Sequence, residues 1–306
     1  MSGRPLLVVN PASGGGKTGK TFESLRSTIQ ASLGPVRVAF TDRRGHAIEL
    51  AKQGVEDGHP LIVAVGGDGT FHEVVNGVMD SGKKARVGLI AQGTGGDFRK
   101  TLGLEHRLDH YLSALTSGRT RDIDVGRVTY RELDGTEKKR WFVNILSAGM
   151  GGLVDKYVAE APSFLGGKAA YFAASFGALV KTREGRVKAK VGLDGKTEEK
   201  RLRSFMIAIC NGQYFGGGMK VTPNANVGDG LFDVTIWSGY TLSDFIFKQG
   251  GIYKGTHLSF PGTQARQCRE AVCEADDEVL IDCDGEQPGR LPCRVTMLPA
   301  AIRLKV

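Results

Sequence analysis

Residues 60–70 read PLIVAVGGDGT, an apolar run that ends in a glycine-rich turn. A short, wholly apolar run is typical of a strand in a parallel sheet whose two faces are both covered. Beyond the turn, apolar residues recur at helical spacing: Phe71, Val74, Val75 and Val78. We interpret this stretch as a buried strand, a turn and an amphipathic helix.

The same alternation extends outward on both sides. Apolar runs at residues 5–10, 35–41 and 86–91 predict three further strands, and periodic apolar residues between them predict helices. Strand and helix alternate in this way up to about residue 118. The pattern predicts an α/β domain, a parallel sheet with helices on both faces.

The second part of the chain has more strands and fewer helices. Turn signals such as Asp134-Gly135 and Asp194-Gly195 separate neighbouring apolar runs and indicate hairpins. Candidate strands lie near residues 122–130, 140–147, 186–193, 201–211, 230–237, 265–273, 277–283 and 291–298. We therefore predict a mainly antiparallel, β-rich domain.

The domain boundaries follow from this change of pattern. We assign residues 1–122 to the α/β domain and residues 123–298 to the β-rich domain, with a helical insert at about 151–184. The chain end, residues 299–306, is expected to return to the first domain. The insert is rich in aromatic residues, which fit either plain core or an apolar cleft.

Three glycine-rich loops follow predicted strands of the first domain. They are Asn10-Pro11-Ala12-Ser13-Gly14-Gly15-Gly16-Lys17, Gly66-Gly67-Asp68-Gly69-Thr70 and Gln92-Gly93-Thr94-Gly95-Gly96-Asp97. The carboxyl ends of parallel strands meet at one edge of the sheet, where ligands bind in such folds. Backbone N–H groups at glycines and helix N termini form anion sites, so we expect a phosphate-binding edge.

One part of the first loop admits another interpretation. The segment from Gly14 to Thr21 fits the P-loop pattern GxxxxGK[ST], with Lys20 as its lysine. However, Pro11, Ala12 and Ser13 separate the strand end from Gly14, whereas a P-loop normally starts directly after its strand. The alternative stays open at this stage.

Two acidic positions suggest chemistry. Asp68 lies among glycines that suit phosphate, which makes sense if it meets a magnesium ion or its water shell; a helix cap is the structural alternative. Asp284 and Glu286 flank Gly285, directly after the predominantly apolar segment VLIDC at residues 279–283. A carboxylate can accept the proton of an attacking alcohol, although a polar hairpin turn is the simpler interpretation.

The composition of the chain indicates which partners and which cellular location to expect. Lys and Arg number 41 against 33 acidic residues, a net charge of +8, which favours anionic partners or simply a solvated surface. The five Cys form no CxxC pair, which fits reduced thiols. We see no signal-peptide pattern, and the most apolar stretch, residues 169–180, is about half the ~20 residues that span a bilayer. We expect a cytoplasmic protein with peripheral membrane contact.

Together these motifs resemble the diacylglycerol kinase catalytic-domain family, related to sphingosine and ceramide kinases. The resemblance rests on NPASGG, GGDGT and GTGGDF, and in the second half on FVNILSAGMGG (142–152), residues 211–234 and Asp284-Gly285-Glu286. It covers essentially the whole chain. It implies an NAD-kinase/phosphofructokinase-like first domain, ATP and Mg²⁺ as cofactors, and phosphoryl transfer to a lipid hydroxyl, most readily that of diacylglycerol.

The resemblance also implies site residues. Glu286 would be the general base, with Asp68 and Asp284 as further catalytic carboxylates. Asn226, Asp229 and Leu231 would hold a structural magnesium ion. The ATP site would comprise Asn10, Pro11, Ser13, Gly14, Thr41, Gly66, Gly67, Asp68, Gly69, Thr70, Glu73, Thr94 and Asp97.

The chain departs from the family pattern at Gln92, usually Pro, and at Gly96, usually Asn. His72 beside Glu73 does not decide the lipid. A sphingoid-base, ceramide or phosphatidylglycerol kinase, a soluble NAD-kinase-like enzyme and a non-catalytic nucleotide-sensing module stay open as alternatives. The expected partners are a lipid substrate and an anionic membrane surface, and not nucleic acid; a homodimer is left open.

Overall fold

The computed structural model describes residues 3–93, 95–149, 186–203, 206–239, 242–276 and 278–306. The chain divides into two compact units, and each unit is described separately. Unit 1 comprises Met1–Val125 and Pro299–Val306, and unit 2 comprises Gly126–Leu298. The predicted helical insert at 151–184 lies outside the described residues.

Unit 1 is an alternating α/β structure. Its elements in chain order are β1 (Leu6–Val9), α1 (Lys17–Leu33), β2 (Arg37–Phe40), α2 (His46–Glu56), β3 (Leu61–Gly66), α3 (Asp68–Asp80), β4 (Arg86–Ala91), α4 (Asp97–Thr101) and α5 (Leu108–Thr116). The strands pair in parallel in the order β2-β1-β3-β4. The predicted parallel sheet with helices is confirmed.

The core of unit 1 explains why β3 is wholly apolar. Every residue of Leu61–Gly66 is buried, as expected for a strand covered on both faces. Helix α2 packs on α3, and α1 packs on α5. Gly77 permits the first contact, because a side chain there would overlap the Ile48 carbonyl oxygen.

Unit 2 contains the remaining strands. They are β5 (Thr120–Arg131, which begins in unit 1), β6 (Glu137–Phe142), β7 (Ile145–Gly149), β8 (Arg186–Leu193), β9 (Lys196–Arg203), β10 (Met206–Cys210), β11 (Tyr214–Phe215), β12 (Met219–Lys220), β13 (Phe232–Trp237), β14 (Thr263–Cys268), β15 (Glu270–Ala275), β16 (Leu280–Cys283) and β17 (Glu286–Lys305). Helix α6 (Leu242–Lys254) and a 3₁₀ turn (His257–Ser259) lie between β13 and β14.

The strands of unit 2 are joined mainly by antiparallel pairing. The path β14-β13-β10-β7-β16-β17 is antiparallel at every step, and β15 joins β17 to β8. Within the described residues these strands bury two apolar clusters, and in the larger one Phe142 stacks on Phe232 with ring centroids 5.6 Å apart. The predicted β-rich character is confirmed.

The predicted strand at residues 201–211 spans the end of β9 and all of β10. Two other predicted strands are each two strands in the structure. Residues 140–147 break at Val143 and Asn144, and residues 265–273 break at Arg269. In both cases an aspartate from another turn accepts backbone N–H groups at the break, Asp284 in the first and Asp194 in the second. Helix α6 was not predicted. The long strand β17 carries the chain end back to unit 1, where Arg303 and Leu304 pair in parallel with β4.

Candidate active site

The first glycine-rich loop is fixed by Asn10, which directly follows β1. Its amide Nδ2 donates to the Thr70 hydroxyl at 3.1 Å, and its Oδ1 accepts the Ala12 N–H at 3.0 Å. The backbone N–H of Asn10 donates to the carbonyl of Val65 at 3.0 Å. Asn10 therefore joins the loop after β1 to the turn after β3.

Ser13 and Gly14 extend this contact to both other loops. The Ser13 hydroxyl accepts the Gly67 N–H at 3.3 Å. Gly14 has a φ of +63°, and a Cβ there would lie 2.8 Å from the Gln92 carbonyl oxygen. Only glycine combines that backbone conformation with so close an approach.

The second and third loops meet at two glycines. A Cβ on Gly93 would lie 2.8 Å from the Gly67 Cα, so the two backbones are in direct contact. The Gln92 N–H donates to the Gly66 carbonyl at 2.8 Å. The loops after β1, β3 and β4 are thus brought together at the carboxyl edge of the sheet.

Asp68, the first residue of α3, caps a different helix. Its Oδ2 accepts the N–H of Asp97, the first residue of α4, at 3.1 Å. Burial, and next the negative charge of Asp97, raise the pKa of Asp68 above its ordinary value. Asp97 is itself buried and pairs with Lys100 at 2.7 Å. The two predicted acidic residues therefore lie side by side.

Glu73 and Thr41, two predicted nucleotide-site residues, have structural contacts. The Glu73 carboxylate accepts the N–H groups of Gly45 at 2.9 Å and Ala47 at 3.1 Å, which caps α2. Thr41 is buried and its N–H donates to the Val9 carbonyl at 2.8 Å. A nucleotide contact for either residue stays a prediction.

The remaining predicted nucleotide residues lie in or beside the same loops. The Pro11 carbonyl accepts the Gly19 N–H at 3.0 Å. A side chain at Gly66 would overlap Thr70, whereas a Cβ at Gly69 would meet nothing within 4 Å. Thr94 lies outside the described residues. Gly96 has a φ of +59°, a conformation that Asn also tolerates, so either residue fits this backbone.

The geometry disfavours the P-loop interpretation. Helix α1 has already begun at Lys17, so Lys20 and Thr21 lie inside it and are exposed. The Thr21 hydroxyl donates to the Lys17 carbonyl at 3.0 Å. Neither side chain belongs to the contacts that join the three loops.

In unit 2, Asp284 organises the turn before β17. It has a φ of +53°. Its Oδ2 accepts the N–H of Val143 at 2.9 Å, and its Oδ1 accepts those of Asn144 at 3.1 Å and Ile145 at 2.8 Å. Both carboxylate oxygens are thus engaged by backbone. This arrangement suits a structural role, and a catalytic role for Asp284 stays a prediction.

Glu286 begins β17 and is nearly buried. Its Oε2 lies 2.8 Å from Nη2 of Arg140 on β6, with 11% of the Glu286 side chain and 20% of the Arg140 side chain exposed. Sequence reasoning did not single out Arg140, because it stands at the end of a basic run, Lys138-Lys139-Arg140, that belongs to no motif.

Asp282 is a second residue that the motif analysis did not select. It is buried, and its Oδ1 accepts the Gly285 N–H at 2.7 Å. The Ser147 hydroxyl donates to its Oδ2 at 3.4 Å. The available signal was an aspartate inside the short apolar run of β16, where a buried charge needs a partner. This contact fixes Gly285, and with it the start of β17 at Glu286.

The predicted metal set lies in one turn of unit 2. The Asn226 carbonyl accepts the Asp229 N–H at 3.4 Å, and one carboxylate oxygen of Asp229 accepts the Leu231 N–H at 3.0 Å. These carbonyl and carboxylate oxygens are the hard donors that Mg²⁺ prefers. Within the described residues, no group of three His, Cys, Asp or Glu side chains is placed to hold a metal ion.

Comparison with known families agrees with this arrangement in both units. The diacylglycerol kinase catalytic domain matches residues 4–128, and the YegS C-terminal NAD kinase beta sandwich-like domain matches residues 144–306. The chain belongs to the diacylglycerol kinase catalytic-domain family. It is therefore a phosphotransferase of this lipid kinase family.

Individual members of the diacylglycerol kinase family are similar over most of their length. A diacylglycerol kinase of Bacillus subtilis (strain 168) is 28% identical over 94% of this chain and 91% of its own. One of Staphylococcus saprophyticus is 23% identical, over 95% and 92%.

Two solved structures have a fold similar to that of this chain. The crystal structure of a diacylglycerol kinase from Bacillus anthracis str. Sterne has a TM-score of 0.73 at 20% identity, covering 99% of this chain and 96% of that one. Yeast NADH kinase complexed with NADH has a TM-score of 0.52 at 12% identity, over 99% and 83%. The predicted NAD-kinase-like fold is confirmed. No helix among the described residues of this family member is long and apolar enough to cross a membrane.

Proposed function

We propose that this protein is an ATP-dependent lipid kinase that transfers the γ-phosphoryl group of ATP to the hydroxyl group of diacylglycerol, forming phosphatidic acid. The observation that carries the proposal is the convergence of the three glycine-rich loops in a chain of the diacylglycerol kinase family. Phosphoryl transfer depends mainly on positioned phosphates, a metal and an oriented nucleophile.

The loops fit a nucleotide triphosphate. Gly14, Gly67 and Gly93 pack backbone against backbone, which holds the loops in place. A Cβ at Gly15 or Gly69 would meet nothing within 4 Å, so the backbone there is open to a ligand. Helix α3 begins beside Gly69, and the positive end of its dipole favours a phosphate.

The acidic residues fit magnesium. In this proposal Asp68 would contact the water shell of a nucleotide-bound ion, and the turn from Asn226 to Leu231 would hold a structural ion. When bound, Mg²⁺ neutralises charge on the phosphates. Asp68 is well placed for this because its contact with Asp97 fixes it at the junction of two loops. The turn offers a carboxylate and carbonyl oxygens within six residues.

Glu286 is proposed as the general base. The attacking oxygen of the lipid hydroxyl forms a bond to the γ-phosphorus while the bond to the β,γ-bridging oxygen breaks, and the hydroxyl proton passes to the Glu286 carboxylate. The departing product is ADP. The ion pair with Arg140 and the fixed turn at Gly285 orient this carboxylate.

The setting of the reaction is also part of the proposal. A lipid substrate requires peripheral contact with a membrane, and the net charge of +8 favours an anionic one. We propose a cytoplasmic enzyme that associates peripherally with the membrane. Attraction of this kind is screened over about 10 Å at 0.1 M ionic strength, so vesicle binding should fall as salt rises.

The test is a phosphorylation assay with purified protein, radiolabelled ATP and magnesium. Mixed micelles carry diacylglycerol, sphingosine, ceramide or phosphatidylglycerol in separate reactions, and soluble NAD is run beside them. We expect transfer of label to diacylglycerol. Labelling of another lipid would keep the lipid kinase and change the substrate, and labelling of NAD alone would overturn the proposal.

A further inference from the structure

The ion pair between Arg140 and Glu286 is more enclosed than its distance alone suggests. Arg140 Nη2 and Glu286 Oε2 are 2.8 Å apart, with 20% and 11% of the side chains exposed. The pair Arg290–Glu278 in the same unit has the same separation but exposures of 32% and 60%. The two pairs therefore differ in environment rather than in distance.

Burial changes how strongly an ion pair affects the energy of the folded protein. An exposed pair contributes little, because water and salt screen it. Removing one partner of an enclosed pair leaves the other charge without compensation in a poorly solvated place. The guanidinium group is planar and presents several N–H donors in a fixed arrangement, so it also orients a carboxylate. Arg140 belongs to an enclosed pair, and its guanidinium group contacts the Glu286 carboxylate, so it can both compensate and orient that carboxylate.

The surroundings hold Arg140 in place. It lies on β6 opposite Val128 of β5, and Tyr130 follows two residues later on the same face of β5. Tyr130 is buried, which raises the pKa of its hydroxyl, while the nearby Arg140 acts in the opposite sense. Arg140 therefore lies on a face of β5 and β6 that it shares with two buried side chains, Val128 and Tyr130.

The carboxylates beside Glu286 have other contacts. Asp284 accepts three backbone N–H groups, and Asp282 accepts the Gly285 N–H and the Ser147 hydroxyl. Those contacts set the backbone on the N-terminal side of Glu286. They do not fix the rotation of its side chain, which extends from β17 toward Arg140.

We propose that Arg140 is a positioning residue that holds the Glu286 carboxylate in the orientation needed to accept the proton of the lipid hydroxyl. The inference rests on the proposed function, in which Glu286 is the base. It assigns to the basic run of β6 a role in turnover in addition to any contact with the surface of a membrane.

The experiment compares four variants of the full chain in the diacylglycerol assay. Arg140→Ala removes the guanidinium group, Arg140→Lys keeps the charge without the planar fork, and Glu286→Gln removes the proposed base. Arg290→Ala is the control and removes the cation of the more exposed pair. We expect Arg140→Ala to lower kcat about 10- to 100-fold, the equivalent of one charge-assisted hydrogen bond. The KM for ATP should stay within about twofold, because the nucleotide loops are untouched.

Chemical rescue separates positioning from a purely structural role. Methylguanidinium at millimolar concentration, too dilute to denature the protein, should restore part of the activity of Arg140→Ala and none of that of Glu286→Gln. Arg140→Lys should be intermediate, since an ammonium group orients a carboxylate less strictly. Arg290→Ala should stay near wild type.

The outcomes distinguish the inference from the function beneath it. Near-wild-type turnover by Arg140→Ala with an inactive Glu286→Gln would overturn the role of Arg140 and leave the proposed function standing. An active Glu286→Gln would remove the proposed base, and the inference with it. If Arg140→Ala does not fold, the Arg140→Lys variant carries the test: a folded Arg140→Lys protein with unchanged kcat overturns the positioning role, and one with reduced kcat supports it.

Discussion

The Asp68 carboxylate caps the helix that begins at Asp97, with Oδ2 3.1 Å from the Asp97 N–H. The first residue of α3 therefore holds the N terminus of α4, and the turn after β3 is joined to the loop after β4. Two carboxylates are brought near each other by this contact, although like charges repel. Lys100 compensates the charge of Asp97, and a cation bound beside Asp68 would compensate the second carboxylate, which agrees with the proposed role of Asp68 in metal binding.

Asp68→Asn should separate activity from stability. Burial and the charge of Asp97 raise the pKa of Asp68 in the folded state, so folding favours the protonated carboxyl. This stabilisation is fully present below the unfolded pKa of about 4 and is lost as pH rises through the folded pKa. We expect the variant to lose most activity while its Tm at neutral pH equals or exceeds that of wild type.

Thermal melting of both proteins from pH 4 to pH 7 tests the sign. The Tm of wild type relative to Asp68→Asn should decline with rising pH. A relative Tm that climbs over this range would show that the ionised carboxylate stabilises the fold, contrary to our expectation.

Glu286→Gln and Asp284→Asn should fail in different ways. Loss of a general base costs about 10²–10⁴-fold in rate, so Glu286→Gln should be nearly inactive. Its Tm should fall less than that of Asp284→Asn, because the Gln amide oxygen can still accept a hydrogen bond from Arg140 although the charge of Arg140 is no longer compensated. Asp284→Asn places an amide donor against backbone N–H groups of residues 143–145, so its Tm should fall. Steady-state kinetics and melting curves of both variants measure this. Turnover of Glu286→Gln within about threefold of wild type would exclude it as the base.

Gly14→Ala and Gly15→Ala form a matched pair. Both glycines have positive φ, +63° and +68°, so both substitutions carry similar backbone strain. A Cβ at Gly14 would also press on the Gln92 carbonyl at 2.8 Å, whereas one at Gly15 would meet nothing within 4 Å. We expect Gly14→Ala to raise the KM for ATP and lower kcat more strongly than Gly15→Ala, and Gly14→Val and Gly67→Val to be nearly inactive.

Lys20→Ala is the control for that series. Lys20 is exposed within α1, so its loss should cost only about 0.5 kcal/mol of stability and leave at least about a third of the activity. A folded but inactive Lys20→Ala protein would revive the P-loop interpretation. Thr21→Ala serves as a second member of the same control.

Asp229→Asn tests the structural ion. If the turn around Asp229 holds Mg²⁺, the ion stabilises the native state and raises the Tm of wild type. The variant should lose most of that increase while its melting in the absence of metal changes little. Retention of the full magnesium-induced shift by Asp229→Asn would argue against an ion at this turn.

Glu73→Ala distinguishes a helix cap from a nucleotide contact. The carboxylate accepts two N–H groups at the start of α2 and is buried, so its removal should destabilise the protein by about 2 kcal/mol. The KM for ATP of the remaining folded protein should stay near that of wild type. A large rise in KM with an unchanged Tm would instead assign Glu73 to the nucleotide site.

Much of unit 1 follows from local pattern. An apolar run such as Leu61–Gly66, preceded by Pro60 and followed by a glycine turn and a periodic helix, predicts a buried parallel strand, because it is too short for a buried helix and ends at turn residues. The loops could be placed at one edge of the sheet for the same reason. Their contacts could not, because they depend on backbone approach at Gly67 and Gly93, residues 26 positions apart.

Unit 2 shows the limit of pattern reading. The run Phe142 to Ile145 contains neither Gly nor Pro, yet the strand breaks there because Asp284, far along the chain, accepts three successive N–H groups. Asp194 acts in the same way on Arg269 and Glu270. Such a carboxylate accepts backbone N–H groups that would otherwise pair with a neighbouring strand. The sequence of the interrupted strand therefore contains no signal for the break.

The sequence by itself determined the first four strands of unit 1 and the three helices between them, that three phosphate-type loops share an edge, and which family the motifs resemble. Hydrophobic periodicity and glycine placement are local properties, so they can be read one segment at a time. Only the tertiary structure decided that Asp68 caps α4, that Glu73 caps α2, and that Glu286 pairs with Arg140. Those side chains meet across many intervening residues, and a hydrogen bond or ion pair exists only once folding has brought both partners within about 3 Å.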